Sequence, residues 1–326
     1  MRDSDRSARI QRSMQERSLD LLVCALPLNV LLLSGYWPVV GTSLAVASRD
    51  GSLRLLVPQD EEDLARRSGA DQVLTYHPGS LDKITTPAEA VQGPLQDLLS
   101  KIRAAPDNVG FERGETSEPA SYVAMHLYGE TIRELLEEIL PTSTLTPADD
   151  LLDQMRMIKT AAEIRRIRTA CEFAERAFRE GKRQLRPGLS EVEAGALFRA
   201  PLSAALPDFP EVERADGFVF CMSGSNSALA AGAYARSRAK RIETGDFVLA
   251  HCNSYADGYW TDITRTYCMG AMHERQRAMV EAIFAARDAA LRAIAPGVKA
   301  AGVDRAARDV LEIRGFGPQF KHSTGH

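Results

Sequence analysis

Short apolar runs recur along the first half of the chain, over 19–25 (LDLLVCA), 42–47, 53–57, 72–76 and 108–112 (NVGFE), and each reads as a strand. Between them, helical spacing of apolar residues predicts helices over 7–18, 58–67, 88–103 and most of 118–140. Ser48-Arg-Asp-Gly51 is a turn sequence joining two of the strands. Strands alternating with helices predict an α/β domain over residues 1–150.

After residue 150 the pattern changes. Thr160-Ala-Ala-Glu163 is a capping box, and Ile164, Ile167, Cys171, Ala174 and Phe178 follow at helical spacing. Leu185-Arg-Pro-Gly188 ends that helix. Ser190-Glu-Val-Glu193 starts another, with Val192, Leu197 and Leu202 among its apolar positions. The same order returns over 279–313: a long helix, a stop at Ala295-Pro-Gly297, then a second helix from about 303. Two copies of this order over 151–326 suggest a duplicated helix–helix–strand unit, or are two unrelated Pro-Gly helix stops.

The stretch 245–270, GDFVLAHCNSYADGYWTDITRTYCMG, reads as two strands joined by Asp257-Gly258, a strong hairpin signal. With Asp257 and Gly258 as the central turn residues, Asn253 faces Asp262 and His251 lies diagonal to it. With the turn one residue earlier, His251 and Asp262 stand directly opposite. Both registers keep His251, Asn253 and Asp262 on one face, and put Cys252 on the other. An imidazole and a carboxylate converging from paired strands are the beginning of a metal or acid/base site.

Composition narrows the partners. A net charge of −4 gives no electrostatic reason to expect nucleic acid or an anionic membrane. Five widely spaced cysteines without a CxxC pair fit a reducing compartment rather than a disulfide framework. The amino terminus is charged and helix-like, unlike a signal peptide, and Asp20, Pro27 and Asn29 interrupt the longest apolar run. These features predict a cytoplasmic protein. His77 and His126 stand alone and read as bystanders.

Several segments together resemble one family. DGYWTDITRTY, PLNVLLLSGY near residue 30, MIKTAAEIRRIRTAC, GFVFCMSGSNSAL and FKHSTGH are similar to the pita-bread hydrolases: aminopeptidase P, prolidase, methionine aminopeptidase and creatinase. The resemblance implies an α/β creatinase-like N-terminal domain followed by an α+β pita-bread catalytic domain. It places Asp262 at the second metal-binding aspartate of the family's hairpin, and His326 at a metal-binding imidazole. His322 falls beside the substrate as a catalytic group. The family's first aspartate falls at 251, where this chain has histidine, and three readings follow. His251 joins Asp262 and His326 as a two-histidine, one-carboxylate ligand set, acts as a general acid or base without metal, or packs beside the cleft. Family peptidases carry a histidine after their NSALPH run, and here that substrate-binding position is Ala231, or Tyr234 under another placement of the gap.

By the same resemblance the protein is a metal-dependent hydrolase cleaving a C–N bond in a small peptide, an Xaa-Pro dipeptidase or aminopeptidase P. It would use one or two divalent ions (Mn, Zn, Co or Fe) and form a homodimer. The alternatives are a creatinase-like amide or amidine hydrolase working without metal, and an inactive binding protein that keeps the fold. Family members continue past the GH at 325–326 to further ligands, so the catalytic domain is expected to be incomplete and the chain truncated.

Overall fold

A computed structural model describes residues 3–39, 41–78, 86–102, 106–113, 129–229 and 237–325, without the side chains of 129–131. The chain divides into two compact units, Met1–Arg166 and Ile167–His326.

The first unit runs α1 (Ser4–Glu16), β1 (Leu21–Cys24), α2 (Pro27–Ser34), β2 (Leu44–Ser48), β3 (Leu53–Pro58), α3 (Glu62–Arg66), β4 (Gln72–Tyr76), α4 (Pro87–Ser100), β5 (Asn108–Phe111), α5 (Gly129–Ile139), β6 (Thr144–Pro147) and α6 (Asp149–Met157). Its strands form one mixed sheet in the order β4-β3-β2-β1-β5-β6, antiparallel where β2 meets β1 and β3, and parallel elsewhere. Every residue of β1 is buried, as expected for a strand covered on both faces. Ile10 and Met14 of α1, Val30 of α2 and Leu151 of α6 pack with Leu22 and Leu55 on one side. Leu95 and Leu98 of α4 and Leu136 of α5 pack with Leu21, Val23 and Leu44 on the other. This is the α/β layering the alternation predicts. The helix expected over 58–67 is instead a 3-10 turn, Gln59–Glu61, leading into α3. Its break comes at Glu61, which is buried and accepts a hydrogen bond from the Tyr36 hydroxyl at 2.7 Å. The expected helix over 118–140 is seen as α5, and residues 114–128 lie outside the described residues.

The second unit is built on α7 (Ala161–Gln184), α8 (Glu191–Ala204), β7 (Ala215–Ser223), β8 (Phe247–Ala256), β9 (Tyr259–Cys268), α9 (Glu274–Ala293) and α10 (Ala300–Ile313). Both capping boxes form. Thr160 N–H donates to Glu163 Oε2 at 2.7 Å, and Glu163 N–H returns to Thr160 Oγ1 at 3.2 Å. Ser190 and Glu193 do the same at 2.7 and 3.2 Å. α9 starts earlier than apolar spacing predicts, because His273 caps it and Gln276 completes a third box. Gly188 and Gly297, the two Pro-Gly stops, take left-handed φ of +93° and +84°, a conformation that costs glycine nothing.

Strands β7, β8 and β9 form an antiparallel sheet in that order. One face is core: Val219, Cys221, Val248, Ala250 and Cys252 pack on Phe173, Ala177, Phe198 and Leu202 of α7 and α8. The helices approach closely because residue 181 is glycine; a Cβ there would lie 2.2 Å from Phe198 Cδ1. The opposite face carries Phe218, Asn253, Tyr255, Trp260, Asp262 and Thr264, none of them buried. Among the described residues, no helix is long and apolar enough to cross a membrane.

Candidate active site on the β8–β9 hairpin

The hairpin turn fixes which side chains meet. Asp257 and Gly258 have φ of +46° and +84°, the signature of a two-residue type I′ turn, whose twist matches its strands. Asp257 tolerates the left-handed region because its carboxylate accepts the Arg214 N–H at 2.9 Å and the Glu213 N–H at 3.1 Å. The register is therefore the first of the two expected, with Asn253 opposite Asp262 and His251 opposite Thr264.

On this frame His251 Nδ1 lies 3.6 Å from Asp262 Oδ1 and 2.9 Å from Thr264 Oγ1. The imidazole is nearly enclosed while the carboxylate is about one third exposed, with side-chain exposures of 11% and 35%. Two donors bound at about 2.1 Å to one tetrahedral ion sit about 3.4 Å apart, so this spacing fits a shared ion. The pair brings one negative charge, which suits a single ion with added donors and does not suit two hard cations bridged by carboxylates. Among the described residues, no group of three or more His, Cys, Asp or Glu side chains could hold a metal. Cys252, on the covered face, is kept a neutral thiol by burial, its pKa pushed up to about 12, so it offers the open face no ligand.

His322 lies beyond α10, after a 3-10 turn over Gly317–Gln319. Its Nδ1 donates to the Ser323 carbonyl at 3.0 Å. In a neutral ring this leaves Nε2 as the acceptor nitrogen. His326, Ala231 and Tyr234 lie outside the described residues.

Three groups around these positions have weaker sequence signals. Thr264 touches His251, and the only hint is its place two residues from Asp262 on the same face. Glu191, inside the second capping box, is fully buried. It accepts from Ser223 N–H and Oγ–H at 2.7 and 2.9 Å, Asn226 Nδ2 at 2.7 Å and Arg238 N–H at 2.9 Å. It thus ties together both flanks of the segment that contains residues 231 and 234. The third group is aromatic. The Trp260 ring stacks on Phe218 at 6.4 Å and tilts against Tyr255 at 4.8 Å, with Arg199 5.9 Å over Phe218. On the open face Tyr255 and Trp260 stand one alternation step from Asn253 and Asp262, and Phe218 lies directly opposite Asn253.

Comparison with known proteins matches nearly the whole chain. The model of the creatinase/prolidase N-terminal domain matches residues 6–158, and that of metallopeptidase family M24 matches residues 165–326. An Xaa-Pro dipeptidase of Pyrococcus furiosus is 27% identical over 322 residues, covering 99% of this chain and 81% of that protein. A probable dipeptidase of Mycobacterium tuberculosis is 28% identical over 302 residues, covering 86% of this chain and 77% of that protein. The crystal structure of the prolidase from Pyrococcus horikoshii superposes with a TM-score of 0.71 at 26% identity, covering 99% of this chain and 82% of that one. The two halves, each matched by its own model, and their likeness to solved prolidases agree on one conclusion: the chain belongs to the pita-bread metallopeptidases of family M24, with a creatinase/prolidase N-terminal domain.

Proposed function

We propose that this protein is a metal-dependent peptidase that cleaves the C–N bond of small Xaa-Pro dipeptides. The observation that carries the reading is the approach of His251 to within 3.6 Å of Asp262 on the open face of the hairpin. The function of the P. furiosus relative, an Xaa-Pro dipeptidase, supports it. Asp262, His251 and His326 would hold one Mn, Zn, Co or Fe ion, which when bound lowers the pKa of a water and polarises the scissile carbonyl. Held as the Nδ1–H tautomer by Ser323, His322 presents Nε2 as a proton acceptor. The Phe218–Tyr255–Trp260 shelf would take the apolar part of the dipeptide, since aromatic faces give large contact at low entropy cost. Ala231 or Tyr234 would contact the substrate. We read the protein as a cytoplasmic homodimer, its five cysteines being free thiols.

Steady-state hydrolysis of an Xaa-Pro series, with chelator and with ions restored, tests this. Hydrolysis that chelator removes and Mn, Co, Zn or Fe restores is expected. Trp260→Ala should raise KM for Phe-Pro by about five- to tenfold, the loss of roughly 1 kcal/mol of stacking. KM for Gly-Pro should change little.

A second reading has one observation in its favour. His251 Nδ1 facing Asp262 and Thr264 is also how a general acid or base is oriented without metal. A creatinase-like amide or amidine hydrolase of this kind would be indifferent to chelator. Failure to turn over either substrate class, with or without added metal, would instead identify a binding protein.

A further inference from the structure

We infer that Asp304 and Arg308 of α10 are positioning residues that set the imidazole of His322, an inference that rests on the peptidase reading for its kinetic consequence. Four residues apart, they share a helix face, and Arg308 Nε donates to Asp304 Oδ2 at 2.6 Å. The remainder of the guanidinium reaches the segment after the helix. Nη1 donates to the Phe320 carbonyl at 3.0 Å, and Nη2 donates to the His322 carbonyl at 2.7 Å. Asp304 uses its other oxygen, Oδ1, to accept the Thr324 N–H at 2.7 Å. The Phe320 ring lies 4.6 Å beneath the guanidinium carbon. One ion pair thus holds backbone groups on both sides of His322, and the residue's own carbonyl as well.

Residues 320–325 have no helix or strand to fix them, so the direction of the His322 Cα–Cβ bond depends on these contacts. As an ion pair with side-chain exposures of 31% and 28%, Arg308–Asp304 would contribute little to stability. Its value lies in geometry: a planar guanidinium offers donors in a rigid fork that spans two carbonyls, and an ammonium on a flexible stem does not. Arg308→Lys keeps the charge and removes the fork.

The test uses the full chain in three variants, Arg308→Lys, Asp304→Asn and His322→Ala. The readouts are steady-state kinetics on an Xaa-Pro dipeptide and the Cε1–H resonance of His322 in 13C-histidine-labelled protein, assigned by its absence from His322→Ala. Arg308→Lys is expected to lower kcat by about tenfold or more with KM within about twofold. The His322 resonance should shift or broaden while the thermal midpoint stays near wild type. Asp304→Asn should act in the same direction, more weakly. An unshifted resonance with unchanged kcat in Arg308→Lys overturns the inference. A wild type that turns over no dipeptide, or a His322→Ala enzyme with full kcat, overturns the peptidase role of His322 instead. The resonance then decides whether Arg308 positions the ring: a shift sustains it, and no shift removes it.

Discussion

At the scale of single residues, the strongest constraints are buried carboxylates. Glu191 spends both oxygens on four donors that bracket residues 224–238. Glu191→Gln turns one acceptor into a donor facing donors, and should cost about 2–4 kcal/mol in urea unfolding. Glu112 is buried too, and accepts from Ala25, Leu26 and Asn29. Burial raises its pKa, and these hydrogen bonds only partly oppose the shift. The folded state then binds the proton more tightly than the unfolded chain. Its contribution to stability is full below the ordinary carboxylate range and is lost as pH rises through the raised value. Glu112→Gln keeps the neutral form at every pH, so the melting difference between wild type and variant should turn against the wild type as pH rises above the ordinary carboxylate range. Burial also pushes the Cys221 and Cys252 thiols up to about 12. In native protein a thiol reagent should label exposed Cys171 first and Cys221, Cys252 and buried Cys24 only after unfolding. Side-chain alternation alone made the common face of His251, Asn253 and Asp262 legible. Glu191 was not legible as an anchor, because its motif is already explained by helix capping and its partners lie 32 to 47 residues away.

At the scale of elements, local chemistry explains most of what the sequence announces. Capping boxes, Pro-Gly stops and an Asp-Gly turn are written in adjacent residues, and each forms as expected. The hairpin register needed one further fact, the positive φ at both Asp257 and Gly258, which sequence limits to two choices without deciding between them. Gly258→Ala should destabilise the second unit by about 1–2 kcal/mol, since alanine meets the left-handed steric penalty. Among the elements that escaped, two are made by long-range partners. β6, Thr144–Pro147, ends in proline and has no clear alternation; it is a strand because β5 pairs with it. The turn at Gln59–Glu61 breaks a helical pattern where Tyr36, in the segment after α2, binds Glu61. Asp304 and Arg308 lie four residues apart on one helix, but their grip on residues 320–324 arises only in three dimensions.

At the scale of the whole molecule, the two-domain architecture and the family were readable from a few motifs, and the matches over 6–158 and 165–326 bear them out. With histidine at 251, the hairpin's open face has one carboxylate beside one imidazole. That donor set is the basis for proposing a single ion. The most direct measurement is metal content and Xaa-Pro hydrolysis of the same preparation, taken before chelation, after chelation and after reconstitution, for wild type and Asp262→Asn. About one equivalent of ion per chain is expected, with activity that follows the ion and a loss of at least about a hundredfold in Asp262→Asn with its fold intact. Hydrolysis that persists without metal, or survives in Asp262→Asn, would contradict it.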